Sequence, residues 1–394
     1  NGKLIRKTLD EQRALLLTVF DESRVPPGRV ASWIPRWNPP RDDSNWSRSE
    51  QTGSWRCVTS SQAVSPSDVL TYRHSLRSGG DHITTVGLSE PLTSAQRKAF
   101  EPSDELFPLS PEPPFPGVYF VEATNSLACR GVLTDRVYHQ LIAVDQTDSL
   151  TAAIERLRTE SRNAPVKDFE AYNEHSPVLP ENEITEFCLS FVGQFDSSAG
   201  KFAVTLAVRG ERFTCRFDAQ QRVVTLEEES TGKILRSGEL SLEHDRDEFL
   251  VEFSTIDRQV CLAIDGRSAF EPWRLSESSS DFRFPAEIAA LGDVRGTLDV
   301  RDLKLSRDVY YTSRNARHGV GEVCRLGAGE YFMLGDNSPV SSDSRMWEQP
   351  AVPAKFLVGK PFAVHLPSRT LKMGSSDSAW QIRLPDFSRV RFVR

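Results

Sequence analysis

Residues 329–345 read GEYFMLGDNSPVSSDSR, and what this stretch is decides what to expect of the rest. Residues 330–334 are apolar and aromatic enough for a buried strand. They run into Gly335, Asp336 and Asn337, residue types that turn a chain sharply. A loop dense in hydroxyls and carboxylates follows and ends on Ser341, Asp343, Ser344 and Arg345. Such a loop forms readily where it only caps a hairpin, because Asn, Asp and Ser side chains hydrogen-bond their own backbone.

Against a plain hairpin cap stands the order of the residues. Gly335, Asp336, Asn337, Ser341, Asp343, Ser344 and Arg345 fall in the string GDNxxxSxDSR, which resembles the last conserved box of the type I signal peptidases, peptidase family S26. Downstream, residues 352–360, VPAKFLVGK, resemble the V-P-x-x-x-L-V-G-R strand of that family, and residues 323–332 resemble its approach to the box. At the other end, residues 1–7, NGKLIRK, resemble the I-N-G-K hairpin that follows the family's lysine box. So large a middle between two matching ends needs domains of its own. The whole resembles the enlarged, planctomycete type of signal peptidase.

The resemblance implies a serine nucleophile and a lysine general base, the lysine kept neutral by burial in an apolar pocket. Ser341 would hydrogen-bond the lysine nitrogen, and Ser344 would be a second candidate for that contact. Asp343 and Arg345 would form an ion pair that stiffens the loop, lying on one face if the segment is extended. Gly335 would let the backbone pass close to the site, with Asp336 and Asn337 shaping the turn. Glu348 departs from the family, which usually has glycine there.

The family's nucleophile precedes a methionine, whereas Met333, Met346 and Met373 follow Phe, Arg and Lys. The family's lysine box would fall before Asn1, and Lys3 and Lys7 are its nearest surrogates, in the context of a hairpin entering a helix. The expectation is a fragment that begins after the lysine box and carries half an active site, inactive by itself. Its membrane anchor would lie in the same upstream part. The module would then work at the bacterial cytoplasmic membrane, on the extracytoplasmic, periplasmic face. Its substrate would be an exported preprotein held as an extended strand.

Composition is that of a globular chain: 38% hydrophobic and 26% charged over 394 residues. A net charge of −7 argues against nucleic acid as a partner. No apolar run approaches the roughly 20 residues that span a bilayer. The six cysteines are scattered with no C-x-x-C, and free core cysteines are expected.

Four regions are expected: 1–24, the start of the peptidase-like core; 25–165, an inserted α+β region rich in Trp and Pro; 166–307, a jelly-roll-like β-sandwich; and 308–394, the C-terminal core with the box. Thr8 and Glu11 form a capping box that should open a helix of about four turns. Trp33, Trp37, Trp46 and Trp55 either offer a stacking surface for a sugar or peptide or fill the core of an irregular segment. Residues 81–86, 118–123 and 137–143 look like strands, residues 106–116 like a proline-rich loop, and Asp148 and Ser149 cap a helix with Leu150, Ile154 and Leu157 on one face.

From residue 187 to 305 short strands recur, with a hairpin turn at Asp265 and Gly266 and a one-residue slip in the last strand that suggests a bulge. Their order resembles a concanavalin or laminin-G-like antiparallel sandwich. The fold class expected is therefore mainly β, a signal-peptidase-like β core with large insertions. Asp293, Asp299 and Asp302 are better read as solvated carboxylates than as calcium ligands, since nothing clusters the six to eight oxygens calcium takes. The histidines are isolated, and no zinc, nucleotide or dinucleotide motif occurs, so no metal or cofactor is implied. The competing reading is a non-catalytic module in which the sandwich binds glycan or protein and the peptidase-like part is scaffold.

Overall fold

The computed structural model describes residues 6–24, 35–39, 43–49, 52–59, 68–75, 83–100, 117–144, 147–168, 182–195, 200–240, 248–275, 287–309, 311, 316–320, 323–335, 338, 341–359, 363–364, 368–373, 380–385 and 391–392. Beyond 359 it describes only the course of the backbone. Trp33, Lys3, Asp336, Asn337 and the proline-rich residues 106–116 lie outside the described residues. Two compact units divide the chain, Asn1–Tyr311 and Thr312–Arg394, with Asn337–Pro339 grouped with the first.

The protein is mainly β. In the first unit one large antiparallel sheet curls into two layers around a common core. One layer runs Lys233–Glu239, Val223–Glu228, Glu211–Asp218, Lys201–Val208 and then the first part of Ala289–Arg307. The other takes the later part of Ala289–Arg307, then Phe187–Phe195, Glu248–Ile256 and Gln259–Ile264. Alternation decides which side chains point inward. Phe213, Cys215 and Phe217 face Phe191, Phe249 and Phe253 across the core, and Phe202 stacks on Phe217 at 4.3 Å. Asp265 and Gly266, both at positive φ, make the expected tight turn, pairing Ile264 with Arg267. The expected bulge is present, with the register shifting between Arg301 and Lys304 and Asp302 at φ 53°. Lys233–Glu239 is an edge strand that the sequence pattern does not announce, because its exposed polar residues show no apolar alternation.

Two expectations are corrected. The helix opened by the Thr8–Glu11 capping box spans only Leu9–Leu15, and Leu17–Asp21 is a strand. Val19 and Phe20 are buried there, and the strand pairs antiparallel with Ala289–Arg307, so long-range pairing outweighs the helical spacing. Residues 137–143, expected as a strand, belong to the helix Asp135–Val144. Val137, Leu141 and Ile142 turn inward against a second core that also contains Leu150, Ile154 and Leu157 of the helix Asp148–Glu160. That core is closed by the three-stranded sheet of Ile83–Gly87, Ser126–Arg130 and Val118–Val121.

Trp37, Trp46 and Trp55 are buried in the sandwich core, so three of the four clustered tryptophans fill space and offer no stacking surface. Strands from residues 1–24, 25–165 and 166–307 all join the same sheet. All six cysteines are free thiols, five of them buried. Burial pushes the Cys57 and Cys129 thiols up to about 12. Asp293, Asp299 and Asp302 pair with Arg216, Arg56 and Arg301.

Gly238 sits where the sandwich has no room for a side chain: a Cβ would lie 1.9 Å from the Ala269 carbonyl oxygen. Gly238→Ala should lower the free energy of unfolding by about 1–3 kcal/mol, read as a fall in the midpoint of chemical denaturation.

Candidate active site

Of the box, Gly335 and residues 341–345 lie in the second unit. The short strand Glu330–Phe332 pairs antiparallel with Ala351–Pro353, Tyr331 opposite Val352. The sequence favours a buried strand here, but Tyr331, Met333 and Leu334 are exposed. A two-stranded pair leaves a face open, and among the described residues no further strand joins this one.

Past the strand the chain leaves as Met333, Leu334 and Gly335 and returns as Ser341–Arg345. Asp343 is the hub of the returning limb. Its Oδ1 accepts from Arg345 Nε at 2.9 Å and its Oδ2 from Arg345 Nη2 at 2.7 Å, a bidentate pair. Oδ1 also accepts from the Arg345 backbone N–H at 3.1 Å, and Oδ2 from the Gly335 N–H at 2.9 Å. Both residues are buried. The expected partners therefore meet, though in a turn and not an extended segment. The Asp343 carbonyl accepts from the Met346 and Trp347 N–H groups, which curls the chain back.

Ser344 is fully buried. Its Oγ accepts the Met333 N–H at 2.8 Å, and its own N–H donates to the Met333 carbonyl at 3.0 Å. Ser341 is half-buried and packed on Gly335, where an added Cβ would lie 2.2 Å from the Ser341 Oγ. Glycine is thus required here by a close approach and not by a turn angle. Sequence reasoning missed the outer support. The Arg345 carbonyl accepts the N–H groups of Arg317 and His318, at 2.7 and 3.2 Å. Backbone donors leave no signature in residue identity, so nothing in the sequence points to them. Glu348 is exposed beyond the turn.

The Arg345 guanidinium holds the Asp343 carboxyl down at about 2, aided by the Gly335 and Arg345 N–H groups, while burial works the other way.

Lys7 is not placed as a general base. Its Nζ lies 2.8 Å from Asp257 Oδ1 and 2.9 Å from Asp308 Oδ2. Burial works to lower its pKa, but the hydrogen bonds to those two carboxylates prevail and hold it above the ordinary lysine value. A base would need the opposite shift. Asp257, Asp308 and Glu186 also bring carboxylate oxygens within 4.8 Å of one another, the spacing of a cation site. The Lys7 ammonium already bonds two of the three.

A mainly β chain with a buried Asp–Arg pair bracing a serine-bearing loop is the class of protein that fold and site define. The sequence profile of the family described as "Signal peptidase, peptidase S26" matches residues 262–366, which include the whole box. Signal peptidase I of Pseudomonas fluorescens is 37% identical over 78 residues, covering 18% of this chain and 25% of that protein. Signal peptidase I of Pseudomonas aeruginosa is 42% identical over 76 residues, covering 17% of this chain and 24% of that protein. The chain therefore carries a type I signal peptidase-like domain. It spans about a quarter of the length of the curated relatives it matches.

Among solved structures, a carbohydrate binding module from Bacillus subtilis is similar at 12% identity with a TM-score of 0.24, covering 31% of this chain and 74% of that one. A Caenorhabditis elegans galectin is similar at 12% identity with a TM-score of 0.23, covering 36% and 86%. Likeness at this level carries no argument about ligands.

Two measurements probe these ion pairs. Because the Asp343 pKa is depressed, its stabilisation is present above the ordinary value of 3.8 and is lost as pH falls through about 2. In Arg345→Ala the Asp343 carboxyl, followed by carbon NMR, should titrate clearly above about 2, because the largest lowering contribution is gone. The raised Lys7 pKa acts in the other direction: the stability advantage over Lys7→Met should be complete below 10.5 and vanish as pH rises through the higher folded-state value, read by denaturation at a series of pH values.

Proposed function

We propose that this chain is the extracytoplasmic part of a type I signal peptidase-like serine endopeptidase that removes signal peptides from exported preproteins. The observation that carries the reading is the loop itself. Gly335 admits Ser341 at close range, and the Asp343–Arg345 pair braces the limb that bears it. In this reading the serine nucleophile and the lysine base come from sequence preceding Asn1, together with a membrane anchor, since no Ser-Met pair occurs in residues 1–394. Among the described residues no helix is long and apolar enough to cross a membrane.

The chemistry fits the residues at hand. A neutral lysine can take the proton from a serine hydroxyl only if its amine is held in line, and a hydroxyl donor at Ser341 would orient it. Arg345 and Asp343 neutralise each other, so that pair puts no net charge beside the amine. The preprotein would lie extended against a strand edge, as peptides that add to sheets do.

Ser341→Ala should reduce preprotein cleavage by the full-length protein in detergent by about a hundredfold or more, the range of a lost acid–base partner. Its denaturation midpoint should stay within the small shifts typical of surface substitutions. Full-length protein that never cleaves a preprotein would instead support a non-catalytic module binding glycan or protein.

A further inference from the structure

We infer that Ser344 is a positioning residue that sets where Ser341 stands, and is not a second donor to the lysine. The inference rests on reading the box as a peptidase site. Ser344 has no exposed surface to offer an incoming amine, and its hydroxyl oxygen accepts the Met333 N–H at 2.8 Å, which holds the side chain against the outgoing limb. Its backbone N–H donates to the Met333 carbonyl at 3.0 Å, so the two residues exchange a reciprocal pair of bonds, as opposed residues of a ladder do. Here, however, a side-chain oxygen stands in for one backbone carbonyl.

The same substitution recurs one step along. Gly335, two residues after Met333, gives its N–H to the Asp343 carboxylate, one residue before Ser344. Two N–H groups of the outgoing limb are thus met by two consecutive side chains of the returning limb. Backbone ladders can slip by a residue or two and still pair. These two bonds cannot, because an acid and a hydroxyl must each meet a particular amide. The register they impose puts Ser341 against Gly335, where an added Cβ would be 2.2 Å from the Ser341 Oγ. Ser344 thereby acts on the chemistry through Ser341 and touches no reacting atom itself.

Removing the Ser344 hydroxyl leaves the partly buried Met333 N–H without its acceptor. The limb should then loosen at its neck and Ser341 should wander, while the surface that binds preprotein is unchanged. In the full-length protein, Ser344→Ala should speed hydrogen exchange at the Met333 amide by about tenfold or more. It should also lower kcat for preprotein cleavage by about tenfold or more with KM changed less than about twofold. Ser344→Thr, which keeps the hydroxyl, should restore both.

Three results would overturn the inference: unchanged exchange at Met333 in Ser344→Ala, faster exchange with wild-type kcat, or equal losses in the alanine and threonine variants. Should Ser344→Ala fail to fold, replacing the Met333 amide by an ester removes the same bond from the donor side and is read in the same way. Absence of cleavage by the unsubstituted protein would defeat the peptidase reading and the positioning role with it. Exchange at Met333, measured on the same samples, tells that failure apart from failure of the clasp.

Discussion

The first unit depends on one strand. Ala289–Arg307 pairs with Lys201–Val208 and Leu70–Tyr72 along its first residues, and with Phe187–Phe195, Trp55–Thr59 and Leu17–Asp21 along the rest. A buried strand must place every N–H and C=O in a bond, and serving two layers requires it to bend without leaving those groups orphaned. The shift between Arg301 and Lys304, with Asp302 at positive φ, lies where the later layer is paired. Because distant segments close onto this strand, the entry and exit of the unit meet. Leu17 faces Arg307, and Lys7 bonds Asp308.

In the second unit the constraint is smaller and chemical. The Asp343 carboxylate takes four N–H contacts, three from Arg345 and one from Gly335. Buried charge persists only where it is paired and bonded, and this carboxylate is both. The side chains of Asp343 and Ser344 therefore hold the two limbs in register where a backbone ladder would otherwise do so. A loop held in this way tolerates exposed neighbours, as Tyr331, Met333 and Leu334 are.

Lys7 and Arg345 show how one kind of pairing serves different ends. The ammonium between Asp257 and Asp308 stays charged and ties the start of the chain to a turn and to a strand end. The guanidinium on Asp343 braces a loop whose serine faces a glycine. Neither cation is arranged to lose its proton. The carboxylates around Lys7 favour its charged form, and Arg345 meets Asp343 through both Nε and Nη2.

Much was legible in the residues alone. The string from Gly335 to Arg345 named the family resemblance and the Asp343–Arg345 pair, because identity and spacing carry that chemistry. Alternation at Phe213, Cys215 and Phe217 and the Asp265–Gly266 turn announced the sandwich, because period two and positive φ are local properties. Local properties could not decide whether Leu17–Asp21 continued a helix or paired with a strand nearly three hundred residues away, nor whether the apolar run at 137–143 lay in a strand or a helix. Nor could they reveal that Trp37, Trp46 and Trp55 turn inward, that Lys7 is clamped by carboxylates, or that the Ser344 hydroxyl belongs to the Met333 amide. Each of those depends on which distant backbone group or side chain arrives alongside. Sequence by itself determined the residue types that can do the chemistry and turn the chain; only the tertiary structure decided their partners, because a hydrogen bond or a packed face exists only once two remote segments meet.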